Sequence, residues 1–211
     1  VCLDYFVVEQ RQGPFELREK GSKFMAFLFP ILNEDEAEKC LESLRREHHD
    51  ASHTPFALRL GDGVERLFRY SDDGEPGGTG GLPLYQELTR AGLFNTLLAV
   101  VRYFGGTKLG TGNLKRAFSR CARGLLESAA IVRVHPRREF SIFVPFDLIG
   151  EAMHLVNLYK GGLLSRDYAE SGVRMRIFLP VENADIFRVT LLEKSSGLLS
   201  VESPEGDTAE N

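Results

Sequence analysis

The densest run of groups able to act on a ligand is Arg102-Tyr103-Phe104-Gly105-Gly106-Thr107-Lys108-Leu109-Gly110-Thr111-Gly112-Asn113. Glycine lets backbone N–H groups approach a phosphate with no Cβ in the way, and Lys108 can neutralise the charge that arrives. Gly105, Gly106, Gly110 and Gly112 equally suit a tight crossover that binds nothing, so the loop alone does not decide. Its spacing differs from G-x-x-x-x-G-K-[ST], which excludes a Walker A loop. The residues that follow favour an anion. From Leu98 through Leu126 there are six bases and no acid: Arg102, Lys108, Lys115, Arg116, Arg120 and Arg123. On a helix, Arg116, Arg120 and Arg123 share one narrow sector, opposite Leu114, Phe118, Cys121 and Leu125. That is the footprint of a contact to phosphate or nucleic acid, set against the common alternative of a solvated face paired with carboxylates from elsewhere. No aromatic stripe is interleaved with these bases, so base stacking is not indicated.

A second candidate is Ser71-Asp72-Asp73-Gly74-Glu75. Three carboxylates this close can hold Mg²⁺ through oxygen, receive a basic partner, or satisfy backbone donors in turns, and turn chemistry is the reading preferred here. An EF-hand is excluded, because position twelve of the loop falls on Pro83 or Leu84 and not on a bidentate Glu. His48, His49 and His53 lie where a helix ends and form no H-E-x-x-H pattern, so no metal site is assigned and the metal question stays open. No G-x-S-x-G elbow and no paired Cys and His are present. No catalytic residue is assigned, and the balance leans against an enzyme.

These loops need elements to hold them. An apolar segment from Lys23 to Phe29 predicts a strand ended by Pro30, and Asn33 with Glu36 forms a capping box that opens a helix carrying Ala37, Cys40, Leu41 and Leu44. Phe56-Leu60 and Val64-Tyr70 predict a hairpin, Pro83 starts a short helix ended by Gly92, and Thr96-Val101 is apolar on both faces like a central strand. The basic helix runs to about Ser128. Polar His135-Pro136-Arg137-Arg138 suits a linker. Beyond it come a strand at Phe140-Val144, a helix from Leu148 to Tyr159, strands at Leu163-Ala169 and Val173-Leu179, a helix from Asn183 and a strand at Leu198-Val201, the βαββαβ order of a ferredoxin-like domain. The expected organisation is α+β, with domains at 1–134 and 135–202 and a disordered acidic tail at 203–211.

Composition sets the class. The chain has 211 residues, 43% hydrophobic and 27% charged, with a formal net charge of −4. This mix suits a globular protein, and an acidic total disfavours indiscriminate polyanion binding without excluding a local basic face. Leu97 to Val101, the longest aliphatic run, is far short of the ~18 residues of a membrane span. Residues Val1 to Gln10 do not read as a secretory signal, so a cytoplasmic location without a membrane partner is expected. Cys2, Cys40 and Cys121 make no C-x-x-C pair, which argues against a disulfide framework and a zinc site.

Residues Tyr70 to Pro83 (YSDDGEPGGTGGLP) and Val100 to Ser119 (VVRYFGGTKLGTGNLKRAFS) resemble the YigZ/IMPACT family. The similarity extends from Gly21-Ser22-Lys23-Phe24 through His53 and Ala57 and into the carboxy-terminal region. The resemblance implies an amino-terminal domain similar to the second domain of a small-subunit ribosomal protein, and a ferredoxin-like domain similar to the last domain of the translocation elongation factor. It thereby implies ribonucleoprotein surroundings by analogy. In eukaryotic relatives the similar domain competes for the co-activator of a stress kinase that phosphorylates translation initiation factor two, a pathway bacterial relatives lack. The chain departs from the family pattern at Gly77, where Ser is common, at Leu82, where Lys is common, and at Thr54-Pro55. Losing a hydroxyl and a cation beside the acidic loop weakens phosphoryl or acyl chemistry there. Lys115 replaces a residue that is often apolar and adds charge to the basic element.

The expected function is a non-enzymatic, translation-associated regulatory or binding protein that uses Arg102 to Arg123 on RNA phosphates or a ribosome-associated partner, with no cofactor. The alternative is an enzyme binding a small-molecule phosphate or nucleotide through Lys108 and the glycine loop, with Mg²⁺ on Asp72, Asp73 and Glu75. The alternative requires both loops to converge on one concave pocket.

Overall fold

A computed structural model describes residues 4–62, 65–195, 199 and 201–202. Two units are formed, one ending at Val134 and the other starting at His135.

The first unit is built on a five-stranded sheet. Its strands are β2 (Gln12–Glu19), β3 (Ser22–Pro30), β4 (Phe56–Gly61), β5 (Glu65–Ser71) and β6 (Thr96–Tyr103), ordered β2-β3-β6-β4-β5 and antiparallel throughout. Alternation along β3 sends Phe24, Ala26 and Leu28 to one face and Met25, Phe27 and Phe29 to the other, and all six are buried. Central β6 does the same with Leu98 and Val100 against Leu97, Ala99 and Val101. Both faces are covered, which is why these strands read as continuous apolar runs. Helix α1 (Glu34–Glu47) covers one face with Ala37, Leu41 and Leu44. Asn33 caps it, accepting from the Glu36 N–H at 2.9 Å. Helices α2 (Gly81–Arg90) and α3 (Thr111–Ser128) cover the other, where Phe118 of α3 meets Phe24 edge-on at 5.1 Å between ring centres. A short antiparallel ribbon, β1 (Tyr5–Val7) with β7 (Val132–Val134), joins the two ends of the unit.

The second unit comprises β8 (Arg137–Pro145), a 3-10 turn at Phe146–Leu148, α4 (Ile149–Leu158), β9 (Gly162–Ala169), β10 (Gly172–Pro180), α5 (Val181–Lys194) and β11 (Val201–Glu202). Its sheet order is β11-β8-β10-β9, so each helix crosses between two strands that are separated by a third, which is the split βαβ arrangement. Ala152, Leu155 and Val156 of α4 and Ala184, Phe187 and Leu191 of α5 bury one sheet face bearing Ile142, Val144, Val173, Met175, Ile177 and Leu179. Helix α5 starts two residues before the expected Asn183, directly after Pro180. The expected last strand at Leu198–Val201 is seen at Val201–Glu202; Leu198, Ser200, Val64 and the tail at 203–211 lie outside the described residues. Among the described residues no helix is long and apolar enough to cross a membrane.

Candidate functional site

Central β6 ends in the glycine loop, and that loop is held at its start by two serines. The Phe104 N–H donates to Ser52 Oγ and the Gly105 N–H to Ser22 Oγ, both at 3.1 Å. Gly105 lies directly on Gly21 in the β2–β3 turn. A Cβ on Gly105 would stand 1.9 Å from the Gly21 carbonyl carbon, so only glycine permits this approach. At the far end Gly110 has φ 77° and ψ 152°, a conformation essentially closed to other residues. The first bond of α3 is the Leu114 N–H to the Gly110 carbonyl at 2.9 Å. Among the described residues no side chain caps this helix, so the N–H groups of Thr111, Gly112 and Asn113 remain open to an acceptor.

The acidic loop folds over the same place, and its three carboxylates divide the work. Asp72 turns inward and accepts from the N–H groups of Gly78 (2.7 Å), Gly80 (2.8 Å) and Gly81 (2.9 Å), which shapes the glycine turn and starts α2. Asp73 accepts from the Thr54 N–H at 2.7 Å and from Arg45 at 3.1 Å, while its own N–H donates to Ser71 Oγ at 3.2 Å. Glu75 is buried, and both its oxygens accept from Arg102 Nη1, at 2.6 and 2.7 Å. Among the described residues no three of His, Cys, Asp and Glu gather as a metal site.

Both loops line one cleft of about 370 Å³, with His53, Glu75, Arg102, Phe104, Lys108 and Leu114 in its wall and the start of α3 at its rim. Of the three carboxylates that the small-ligand alternative needs, Glu75 reaches this cleft, whereas Asp72 and Asp73 are not in its wall. His53, weighed in the sequence only as a metal ligand, stands in the cleft wall. It pairs with Arg102 across an isolated antiparallel bridge, and its Nδ1 lies 2.8 Å from the Asp73 carbonyl oxygen. A carbonyl only accepts, so Nδ1 donates to it, and in the neutral ring Nε2 is then an acceptor.

The six bases do not form one solvated stripe. Arg102 is 6% exposed, because β6 is the middle strand and carries it beneath the acidic loop. Arg120 bonds Glu19 of β2 at 3.2 Å, and Arg123 bonds Glu87 of α2 at 2.9 Å, so for these two the alternative of pairing with carboxylates from elsewhere is what the structure has. Arg116 donates to Asn113 Oδ1 at 2.8 Å and has no carboxylate among the described residues. Lys108 and Lys115 are exposed and likewise unpaired with acids there. The usable positive charge sits at the start of α3, not along its length.

Glu87 clamps α2 to α3. Its carboxylate is 4% exposed and receives Arg123, Arg90 at 2.6 Å and Ser119 Oγ at 2.5 Å. Burial pushes its pKa up, but the hydrogen bonds from Arg123, Ser119 and Arg90 together outweigh burial and hold it below the ordinary 4.5. A lowered folded pKa means that the clamp contributes fully above pH 4.5 and fades as pH falls through the folded value. Glu87→Gln should therefore flatten the acid side of the Tm profile; profiles that run parallel to wild type below pH 4.5 would contradict this. Cys121 on the buried side of α3 is inert as a nucleophile, its thiol pushed up to about 12 by burial.

Residues 20–126, which contain both loops and the cleft, match the model of the Impact N-terminal domain. The IMPACT family member YigZ of Escherichia coli (strain K12) is 32% identical over 184 residues, covering 86% of this chain and 89% of that protein. An IMPACT family member of Thermus thermophilus is 35% identical over 159 residues, 75% of this chain and 84% of its own. The crystal structure of a hypothetical protein aligns over 97% of this chain and 98% of its own, with a TM-score of 0.63 at 28% identity. The resemblance carried by the two loops thus extends over nearly the whole chain, which belongs to the IMPACT family.

Proposed function

We propose that this chain is a non-enzymatic, translation-associated binding protein that contacts RNA phosphates through the glycine loop and the start of α3. The observation that supports the contact is the uncapped amino end of α3 flanked by Lys108, Lys115 and Arg116, none of which has a carboxylate partner among the described residues. An amino-terminal helix end with open N–H groups and nearby cations is a good receptor for phosphate oxygen. Translation as the setting rests on what the family resemblance implies for both domains, and a ribosome-associated protein with an acidic surface would meet the same charges.

Phosphate contact makes binding salt-dependent, with a log–log slope of about −0.7 per phosphate on a single strand. Lys115→Glu with Arg116→Glu should weaken single-stranded RNA binding and flatten the slope by about 1.4, since two contacts are lost. An unchanged slope in a salt titration by fluorescence anisotropy would remove the reading. Arg120→Glu should matter less, because Arg120 already holds Glu19 in an exposed pair.

The convergence of both loops on one cleft favours a second reading, a nucleotide-binding enzyme that uses Mg²⁺. To hold the ion, Asp73 would have to release Thr54 and Arg45, and Asp72 the glycine N–H groups it organises. This reading predicts thermal stabilisation by nucleotide only when Mg²⁺ is present, and loss of the effect in Asp73→Asn.

A further inference from the structure

Arg102 is held in an arrangement that its protein partners do not complete. Its side chain is only 7% exposed, and Nη1 takes both oxygens of Glu75. Nε is buried with no hydrogen-bond partner, and no partner is present for Nη2 among the described residues. A guanidinium has five N–H donors; Nε is unmet where an unmet donor is costly, while Nη2 has no protein partner among the described residues and is free to meet a ligand in the cleft. The same residue lines the cleft, beside Lys108 and the open end of α3, with Phe104 5.5 Å from the guanidinium carbon.

We infer that the cleft is a receptor for the terminal phosphomonoester of a ribonucleotide. The inference rests on the proposed use of the glycine loop and α3 for phosphate, and specifies which phosphate. Three open N–H groups on α3, the Lys108 ammonium and Arg102 Nη2 offer more donors than two non-bridging oxygens of a diester need, leaving room for a third oxygen. A monoester offers three oxygens and a charge of about −1.5 to −2. Glu75 does not repel it strongly, since both its oxygens are already bonded to Arg102. A volume of about 370 Å³ is in the range of small-ligand sites. Leu109 and Leu114 supply an apolar wall for what the phosphate is attached to. His53, in the same wall, offers Nε2 of its neutral ring as an acceptor suited to a sugar hydroxyl.

Two sources present this group, an RNA end and a free mononucleotide. The test uses the full chain and measures affinity for one single-stranded RNA in three forms, with hydroxyl ends, a 5′-monophosphate or a 3′-monophosphate, and for AMP. At least one phosphate-ended RNA, or AMP, should bind about tenfold or more tighter than the hydroxyl-ended RNA, as charge-assisted hydrogen bonds of this number imply. Lys108→Ala, an exposed position whose folding is not in question, should abolish that advantage, and so should Arg102→Met with Glu75→Leu, which removes the buried pair as a unit. A phosphate-ended RNA that outbinds AMP assigns the site to RNA ends; AMP equal to or tighter than RNA assigns it to free nucleotide. Equal affinity for hydroxyl-ended and phosphate-ended RNA with AMP binding no tighter than either, or an advantage that survives in either variant, overturns the inference. If that equal binding still weakens with Lys115→Glu and Arg116→Glu, the α3 contact stands without it. Failure of every RNA and of AMP to bind removes both.

Discussion

Glu75→Ala should destabilise the first unit by about 3–5 kcal/mol, because it leaves the Arg102 guanidinium buried beside a missing counter-charge. The pair itself need not stabilise the fold. Bringing two ions out of water costs several kcal/mol each, and their attraction roughly repays it only when geometry and hydrogen bonds are good. Arg102→Met combined with Glu75→Leu should therefore be close to neutral. Hydrogen exchange at the amides of Leu98, Val100 and Val101 reports on this directly, since these lie in the middle strand. The single variant should exchange far faster than the double. If the two exchange alike, the cost does not come from the stranded charge.

The second large effect is expected at Phe118→Ala, again about 3–5 kcal/mol, the usual cost of emptying a large aromatic site in a core. Phe118 is fully buried and meets Phe24 edge-on, and Arg102 lies over Phe24 with 5.5 Å between its guanidinium carbon and the ring centre. The cavity would thus loosen α3 where it rests on the sheet, just beneath the candidate site. Urea denaturation should show a lower midpoint, and phosphate affinity should fall with it even though no cleft-lining residue has changed. Unchanged affinity at reduced stability would show that the start of α3 is held by the glycine loop alone.

Legibility in the sequence followed local order. Strands β3 and β6 declared themselves by apolar residues on both faces, and α1 and α3 by residues three and four apart. Strand β2 went unread because it is an edge strand with only Phe15 and Leu17 packed inward and a proline at position 14. The ribbon of β1 and β7 is three residues long on each side, too short for any period to show. At the site, the glycine loop and Lys108 were identified by type. The partition of Asp72, Asp73 and Glu75 among backbone, Arg45 and Arg102 was not legible, since the coiling of a turn decides which way each carboxylate faces. Helical spacing puts Arg116, Arg120 and Arg123 in one sector, but the partners of Arg120 and Arg123 come from β2 and α2, and only tertiary packing brings Glu19 and Glu87 there.

The contact between Gly21 and Gly105 makes the placement of the glycine loop, whose Phe104 and Lys108 line the cleft, a joint property of two distant turns. Neither position has a side chain to shrink, so no compensating exchange at one can make room for a methyl at the other. A hairpin with no role in recognition thereby becomes a silent determinant of it: Gly21→Ala should lift the loop and blunt affinity from outside every surface a ligand touches.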